Sequence, residues 1–202
     1  LTLKAYLEVI GPEGTLVVPA FNYDFCQGQP YSHETSPAQT GMFSQYVLKT
    51  DRFVRSFHPI FSYLASGPLA EALCADVPHS AFGKNCVFER MKLMGGKIVQ
   101  LGAARNDPNF ELGTFIHYVE QTAGVKYRYI KEFTGAVTQG GVTRSGTYDH
   151  FVRHLNRGIR NYFTRLTEIL FSEGKLHRTQ LGGEFPVSAV SMNDIFVTAL
   201  QQ

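Results

Sequence analysis

Apolar positions recur along the chain with the spacings of both helices and strands. Helical spacing, often closed by glycine or proline, predicts helices over 2–10, 41–49, 68–74, 86–94, the later part of 109–122, and 160–172. Continuous or alternating apolar runs predict strands over 15–21, 54–67 and 97–103, a hairpin that turns at Gly140 and Gly141, and one strand followed by a helix after Gln180. Helices and strands therefore alternate, which predicts an α/β fold.

One segment, 22–40, has neither period and contains Gly, Pro, Ser, Asn and several aromatic residues. It predicts a long irregular loop, and such loops inside a compact domain are often functional. The chain shows no internal repeat or linker, so residues 1–202 are expected to form one domain. Because Leu1 falls in the middle of a predicted helix, we expect that this domain lacks its N-terminal segment.

The composition narrows the class of protein. Hydrophobic residues make up 44% of the 202 residues, which is enough for a sizeable core, and no run of about 18 apolar residues predicts a membrane span. The formal net charge of +2 is too small to indicate a nucleic-acid partner. Cys26, Cys74 and Cys86 form no CxxC pair, so they favour a reducing cytoplasm over a disulfide framework.

The sequence also argues against several kinds of site. Its seven histidines include no HExxH pair and no His/Cys cluster at metal-ligand spacing, so no metal is expected. The GxSxG turn of many serine hydrolases is absent. The glycine pairs at 140–141 and 182–183 read as short turns without the following helix that phosphate-binding loops need.

His117 is the main candidate for a catalytic group. It is predicted in the first turns of a helix that follows a strand, where open α/β sheets build their sites. Thr114 lies one turn before it, and Glu120 lies one turn after it, placed to orient the imidazole or to contact a substrate. Histidine serves as a general base near neutral pH with little tuning. A partly buried histidine that braces a helix is the alternative that the spacing leaves open.

A second candidate is the RSFHP segment. Arg55 is suited to clamp a phosphate or carboxylate, and Ser56, His58 and Ser62 supply further hydrogen-bonding groups. An ordinary strand end closed by Pro59 explains the same residues equally well.

Two aspartates are candidates for binding a protonated amine. Asp149 lies in TYDHF and is also suited to orient His117, while Asp24 lies in the long loop. Solvated surface aspartates are the alternative for both.

Six segments that occur in order carry a family resemblance. They are GPEGTLVVPAF (11–21), TSPAQTG (35–41), VRSFHPIFSYLASG (54–67), SAFGKNCVFERM (80–91), GGKIVQLGA (95–103) and GTFIHYVEQ (113–121). Together they resemble the aminoglycoside 3-N-acetyltransferase family, also called antibiotic acetyltransferases, over about three quarters of the chain. The part from YRYIKEFTG onward looks like members associated with surface-polysaccharide synthesis. The resemblance implies a mixed central sheet flanked by helices.

The resemblance also implies a reaction, the transfer of an acetyl group from acetyl-CoA to an amine without a covalent enzyme intermediate. His117, as the histidine of a T-x-x-H motif, would be the base. Thr114 would donate a hydrogen bond to the thioester as an oxyanion-type stabiliser. Asp149 fits the acidic residue expected about thirty positions downstream, which pairs with the histidine or with the substrate amine.

A coenzyme-binding wall is implied as well. It corresponds to the RSxHPxxS stretch, so the candidates are Arg55, Ser56, His58 and Ser62, with Phe82 packing on the pantetheine arm. Members of the family begin with a strand and loop bearing a His-Ser-Ser-Leu-like motif and a glycine-rich turn, which this chain lacks. The chain is therefore expected to be either incomplete or weakened in coenzyme binding.

The expected acceptor is a small-molecule amine, an amino sugar bound by Asp24 and Glu120. Carboxylates are few here, with Glu34, Asp107 and Glu111 as the others, which favours an amino sugar of biosynthesis over a polycationic antibiotic. An aminoglycoside acetyltransferase that confers resistance and a non-catalytic relative that binds coenzyme or sugar are the alternatives. Whether the chain forms a homo-oligomer is left open.

Overall fold

The computed structural model describes residues 2–102, 111–155 and 163–201. The chain divides into two compact units, and each is built from two stretches of sequence. Unit 1 consists of Leu1–Val87 and Ile130–His150, and unit 2 consists of Phe88–Tyr129 and Phe151–Gln202. The first 87 residues and most of the hairpin predicted around Gly140 therefore belong to one unit.

The helices and strands confirm the predicted α/β class. The helices are α1 Thr2–Ile10, α2 Met42–Leu48, α3 Ala70–Cys74, α4 Val87–Leu93, α5 Phe115–Thr122, α6 Thr164–Ser172 and α7 Met192–Leu200. The strands are β1 Leu16–Pro19, β2 Tyr31–Ser32, β3 Val54–Arg55, β4 Tyr63–Ser66, β5 Lys97–Leu101, β6 Arg128–Gln139, β7 Val142–Arg153, β8 Leu176–Leu181 and β9 Phe185–Ser191. In the described ranges these strands form three sheets of three strands each. No helix in those ranges has the length and apolar character needed to cross a membrane.

The first sheet of unit 1 has β4 at its centre, with β1 and β3 antiparallel on either side. Pairing of Leu16 with Ser66 and of Pro19 with Tyr63 sets the register of β1. Helices α1 and α2 contact β1, while α3 contacts β3 and β4. The apolar faces meet in a core of Leu3, Val18, Ala20, Ala38, Val47 and Leu64. This core packs against the β1–β4–β3 sheet, in which β3 ends at Arg55, the first residue of the RSFHP segment.

The prediction of one strand over 54–67 is wrong, because the segment forms two strands separated by a turn. Pro59 cannot donate a ladder hydrogen bond. Instead, the Ser56 N–H donates to the Tyr63 carbonyl at 2.8 Å, and the Ser56 hydroxyl accepts from the Tyr63 N–H at 2.8 Å. A serine side chain thus completes a backbone pair where the ladder would otherwise continue.

The hairpin of β6 and β7 confirms the turn predicted at Gly140 and Gly141. Both glycines have positive φ, +56° and +77°, which suits a tight two-residue hairpin turn. Glu34 accepts a hydrogen bond from the Gly140 N–H at 2.7 Å, and β2 pairs with β6 in parallel at Tyr31 and Val137. The long loop predicted over 22–40 therefore contains a short strand and is fastened to this hairpin.

The sheet of unit 2 has β9 at its centre, antiparallel to both β5 and β8. The sequence predicted one strand before the last helix, and the structure shows two, because β8 is largely exposed and polar and lacks a buried-strand pattern. Strand β9 leads directly into α7, and the Ser191 hydroxyl caps that helix by accepting from the Asp194 N–H. Helices α5 and α6 both contact α7.

Candidate active site

The start of α5 determines where the candidate catalytic residues lie. The chain enters the helix through Gly113, whose φ of +55° favours glycine. A Cβ at Gly113 would lie 3.2 Å from the Gln100 side-chain nitrogen on β5, so the helix start and the sheet fit closely. The His117 N–H donates to the Thr114 carbonyl at 3.0 Å and closes the first turn. The two side chains are therefore neighbours on successive turns.

His117 and Glu120 form a hydrogen-bonded pair on α5. His117 Nδ1 lies 2.7 Å from Glu120 Oε2. The Glu120 side chain is 4% exposed, whereas that of His117 is 26% exposed, so the imidazole is the part that solvent reaches. An ionised carboxylate only accepts hydrogen bonds, which assigns the proton to Nδ1 and the lone pair to Nε2. This tautomer is the one that a general base needs.

Glu120 has two further contacts around its carboxylate. The Tyr127 hydroxyl donates to Oε1 at 2.6 Å, and Arg128 Nε lies 2.8 Å from Oε2. Burial, reinforced by the hydrogen bond to Glu120 and by its charge, raises the pKa of Tyr127 well above the ordinary value, so the phenol stays protonated. Arg128 Nη1 also donates to the Phe151 carbonyl at 3.0 Å. The carboxylate is thus fixed at both oxygens.

Thr114 lies at the N-terminal cap position of α5. A threonine there usually uses its hydroxyl to cap the helix, but no such bond forms here. The side chain is partly exposed. These features suit a hydroxyl that donates to a substrate.

Arg55 organises the loop of unit 1 through carbonyl groups. Its Nη1 donates to the carbonyls of His33 and Ser36 at 2.8 and 2.9 Å, and its Nε donates to the Ser62 hydroxyl at 3.1 Å. The Ser62 hydroxyl in turn donates to the Ala20 carbonyl at 2.7 Å. Burial lowers the pKa of Arg55 from its ordinary value. The guanidinium of Arg55 therefore hydrogen-bonds to groups of the protein itself.

His58 is a buried acceptor in the turn between β3 and β4. Its Nδ1 accepts the N–H groups of Ile60 and Phe61 at 3.2 and 3.0 Å, and its Nε2 lies 3.2 Å from the His79 carbonyl. The two N–H donors require Nδ1 to be unprotonated, so Nε2 is the donor to His79. Burial lowers the pKa of His58 to about 3. In this turn a neutral imidazole, and not a strand carbonyl, accepts the backbone N–H groups of Ile60 and Phe61.

Asp149 contacts the segment 79–82, which ends at Phe82. Asp149 Oδ1 accepts from the Ala81 N–H at 3.0 Å, and the Asp149 N–H donates to the His79 carbonyl at 3.1 Å. Phe82 is buried, with its ring 5.0 Å from that of Phe61. The coenzyme contact expected of Phe82 and the role expected of Asp149 stay predictions.

The remaining carboxylates have contacts of their own. Asp24 Oδ1 accepts from the Gln39 side chain at 2.8 Å. Glu111, which is 2% exposed, forms a two-pronged ion pair with Arg178, with distances of 2.8 and 2.6 Å. Asp107 lies outside the described residues. Substrate binding by Asp24 and Glu120 stays a prediction.

The predicted residues fall into two groups. Unit 2 holds Thr114, His117 and Glu120, while unit 1 holds Asp24, Arg55, Ser56, His58, Ser62, Phe82 and Asp149. Sequence reasoning missed Tyr127 and Arg128, which reach Glu120 from beyond the end of α5. A Tyr-Arg pair three residues after Gly124, the glycine that follows the helix, was the available signal. In the described ranges, no group of three or more His, Cys, Asp or Glu side chains is placed to bind a metal ion.

Comparison with known proteins shows what the chain is similar to. A family model described as aminoglycoside 3-N-acetyltransferase matches residues 2–202. Aminoglycoside N(3)-acetyltransferase III from Acinetobacter baumannii is 38% identical over 88 residues, which is 42% of this chain and 28% of that protein. Aminoglycoside N(3)-acetyltransferase IV from Salmonella sp is 30% identical over 131 residues, which is 62% of this chain and 46% of that protein.

Solved structures share the fold over nearly the whole chain. AAC-IIIb in binary complex with CoASH matches with a TM-score of 0.81 and 21% identity, covering 99% of this chain and 81% of that one. The apoenzyme of aminoglycoside acetyltransferase AAC(3)-IVa matches with a TM-score of 0.72 and 26% identity, covering 99% of this chain and 72% of that one.

The fold and the His117–Glu120 pair define an α/β protein with a partly exposed histidine that a buried carboxylate orients. The match of the family model over residues 2–202 shows that the chain belongs to the aminoglycoside 3-N-acetyltransferase family. The aligned part of the chain spans less than half the length of the two curated relatives described above.

Proposed function

We propose that the chain is an N-acetyltransferase that moves the acetyl group of acetyl-CoA onto an amine of an aminoglycoside. The observation that carries this proposal is the His117–Glu120 pair, in a chain that belongs to this family. Three features are proposed together: the acetyl-transfer activity, acetyl-CoA as the donor and an aminoglycoside as the acceptor.

His117 acts as the base in the proposed reaction. An alkylammonium with a pKa of about 10 is not nucleophilic at neutral pH, so the acceptor amine must lose a proton. His117 Nε2 takes that proton as the amine nitrogen bonds to the thioester carbonyl carbon. The carbon–sulfur bond then breaks, the second proton of the amine nitrogen goes to the leaving sulfur so that the coenzyme leaves as a thiol, and His117 releases its proton to solvent. Glu120 keeps Nδ1 protonated throughout, so only Nε2 exchanges protons with the substrates.

Thr114 stabilises the charge that develops on the thioester oxygen. Its hydroxyl lies one turn before His117 and is not used as a helix cap. A hydroxyl that donates to the developing oxyanion lowers the barrier of acyl transfer. This assignment agrees with the position of Thr114 in the T-x-x-H pattern.

The donor is supported by the structural neighbour that was solved with CoASH. Arg55, Ser56, His58 and Ser62 contribute to its binding indirectly. Ser56, His58 and Ser62 are 0–1% exposed, and the guanidinium of Arg55 is bound to backbone carbonyls. We therefore expect these four side chains to fix the conformation of the coenzyme-binding wall. The coenzyme itself would contact the backbone and neighbouring side chains.

The acceptor class rests on the relatives. The curated relatives are named as aminoglycoside N(3)-acetyltransferases, whereas no finding supports the amino sugar of polysaccharide synthesis that the sequence favoured. We assign Asp24 and Asp149 to the binding of the ammonium groups, since both are carboxylates with partly exposed side chains. The oriented base argues against a relative that has lost catalysis.

A cytoplasmic location is part of the proposal. The three cysteines are thiols, which suits a reducing compartment. Acetyl-CoA, the proposed donor, is available there.

An acceptor panel tests the proposal. The purified chain is mixed with acetyl-CoA and with kanamycin, gentamicin or nucleotide-linked amino sugars, and release of the coenzyme thiol is followed. Turnover with the aminoglycosides is expected. Turnover with nucleotide-linked sugars alone would reject the aminoglycoside as acceptor. Coenzyme binding without turnover on any amine would reject the enzymatic function and establish the non-catalytic alternative.

A further inference from the structure

One buried carboxylate oxygen of Glu120 is shared by two nitrogens. His117 Nδ1 lies 2.7 Å from Oε2, and Arg128 Nε lies 2.8 Å from the same atom. The Tyr127 hydroxyl occupies Oε1 at 2.6 Å. The side chains of Glu120 and Arg128 are only 4% and 8% exposed. The carboxylate thus contacts a fixed cation as well as the imidazole that it orients.

This sharing matters because a buried carboxylate has two effects on a neighbouring histidine. It fixes the tautomer, which helps a base, and it stabilises the imidazolium, which has no lone pair left to accept a proton. A carboxylate without a compensating charge would therefore favour the inactive, protonated form of His117. Arginine stays charged in proteins and offsets that attraction.

The charges of the network can be counted. Glu120 carries one negative charge and Arg128 one positive charge, while Tyr127 is neutral. With a neutral imidazole the four side chains sum to zero, and with an imidazolium they sum to +1. In a poorly solvated setting the neutral sum is favoured.

We propose that Arg128 is a positioning residue that neutralises Glu120, so that the carboxylate orients His117 while the imidazole stays neutral and able to accept a proton. Tyr127 holds the second oxygen and keeps the carboxylate in this rotamer. The proposal rests on the proposed function only for its catalytic consequence, because the charge balance is a property of unit 2 itself.

Arg128 is held for this task by the fold. It is the first residue of β6, and its Nη1 donates to the Phe151 carbonyl on β7 at 3.0 Å. The hydrogen bond to the backbone fixes the guanidinium independently of Glu120. Strands β6 and β7 therefore hold the positive charge of Arg128 next to the carboxylate of Glu120 on α5.

Other charged groups lie on elements that pack against this network. They are Glu89 and Lys92 on α4, both of which contact Tyr118 of α5, Asp194 on α7, Arg153 on β7, and Lys126 beside Tyr127. Their field acts on wild type and variants alike. Arg153 is exposed and its positive charge also acts on Arg128, which makes it the matched control for the loss of a charge from this hairpin.

The test is the pH titration of His117 in the full chain, followed by NMR of the imidazole without any substrate. The His117 signals are assigned by their loss in His117→Gln. In Arg128→Gln, and in Arg128→Met as a second substitution, we expect the midpoint of His117 to move at least about half a pH unit higher, since a nearby positive charge has gone. Arg128→Lys, which keeps the charge, should titrate within a few tenths of a unit of wild type.

A control variant and the pH profile of the activity distinguish charge neutralisation by Arg128 from a purely structural role. Arg153→Gln removes a charge from the same hairpin and should leave the His117 midpoint in place. In the acetyl-transfer assay, Arg128→Gln should move the acid limb of kcat/KM to higher pH, with the plateau within a few fold of wild type. A His117 midpoint in folded Arg128→Gln that is unchanged or lower would overturn the proposal. An upward shift in a protein that acetylates no amine would support the charge balance and reject the proposed function.

Discussion

His58 and His117 carry the same side chain in opposite settings. His58 is 1% exposed, and its Nδ1 accepts two backbone N–H groups, so it serves the turn after β3. His117 is about one quarter exposed, and its Nδ1 donates to a buried carboxylate, which leaves the lone pair of the imidazole on Nε2. Sequence spacing ranked His117 first, but it could not distinguish a base from a brace. The partner of each Nδ1 supports the proposal that His117 is the base and His58 a structural residue.

The burial of His58 predicts a dependence of stability on pH. Its pKa is about 3 in the folded chain and about 6.5 when exposed, so the unfolded chain binds the extra proton. The contribution to stability is complete above pH 6.5 and is lost as the pH falls towards 3. We expect the free energy of unfolding to fall between pH 6.5 and 4.5 more steeply in wild type than in His58→Asn, by up to about 1.4 kcal/mol per pH unit.

Denaturant unfolding over that pH range measures the two slopes. His177→Asn is the matched control, because His177 is exposed on β8 and should keep the slope of wild type. Equal slopes in wild type and His58→Asn would show that His58 is not held neutral by the fold.

At the scale of elements, ion pairs connect strands to the segments around α5. Arg178 on β8 grips the buried Glu111 carboxylate with two nitrogens, just before the start of α5. Apart from the buried Leu176, the residues of β8 are exposed, and this pair links the strand to a buried carboxylate. Arg128 on β6 makes the corresponding contact with Glu120 at the other end of the same region.

Removal of Arg178 should therefore destabilise the chain. Arg178→Met leaves a carboxylate that is 2% exposed without its cation, at an expected cost of about 1–3 kcal/mol in the free energy of unfolding. Lys97→Met, on the exposed face of β5, is the control and should change little. Chemical denaturation measures both, and a loss in Arg178→Met no larger than in Lys97→Met would contradict the role of the pair.

Much of the element order could be predicted from the sequence, because glycine, proline and apolar spacing mark local structure. The helices around 2–10 and 41–49 and the hairpin at Gly140 are examples. The break within 54–67 could not be predicted, because it depends on which backbone groups the side chains of Ser56 and His58 meet in the folded chain. The partners of Glu120 were missed for a similar reason, since Tyr127 and Arg128 reach it across a turn.

At the scale of the whole molecule, the chain divides into two compact units with different chemical content. Unit 2 carries His117, the proposed base, and the charges beside it, and unit 1 carries the wall and the loop expected to serve the coenzyme and the acceptor. The family match extends over residues 2–202 and so includes both units.

The most direct measurement is the rate of acetyl transfer from acetyl-CoA to an aminoglycoside by His117→Ala beside wild type. Loss of a general base typically costs between about 100-fold and 10,000-fold in rate. We expect transfer by His117→Ala to fall by at least about 100-fold, while coenzyme affinity stays within a few fold, because the imidazole acts on the amine. Full activity in His117→Ala would contradict the assignment of His117 as the base.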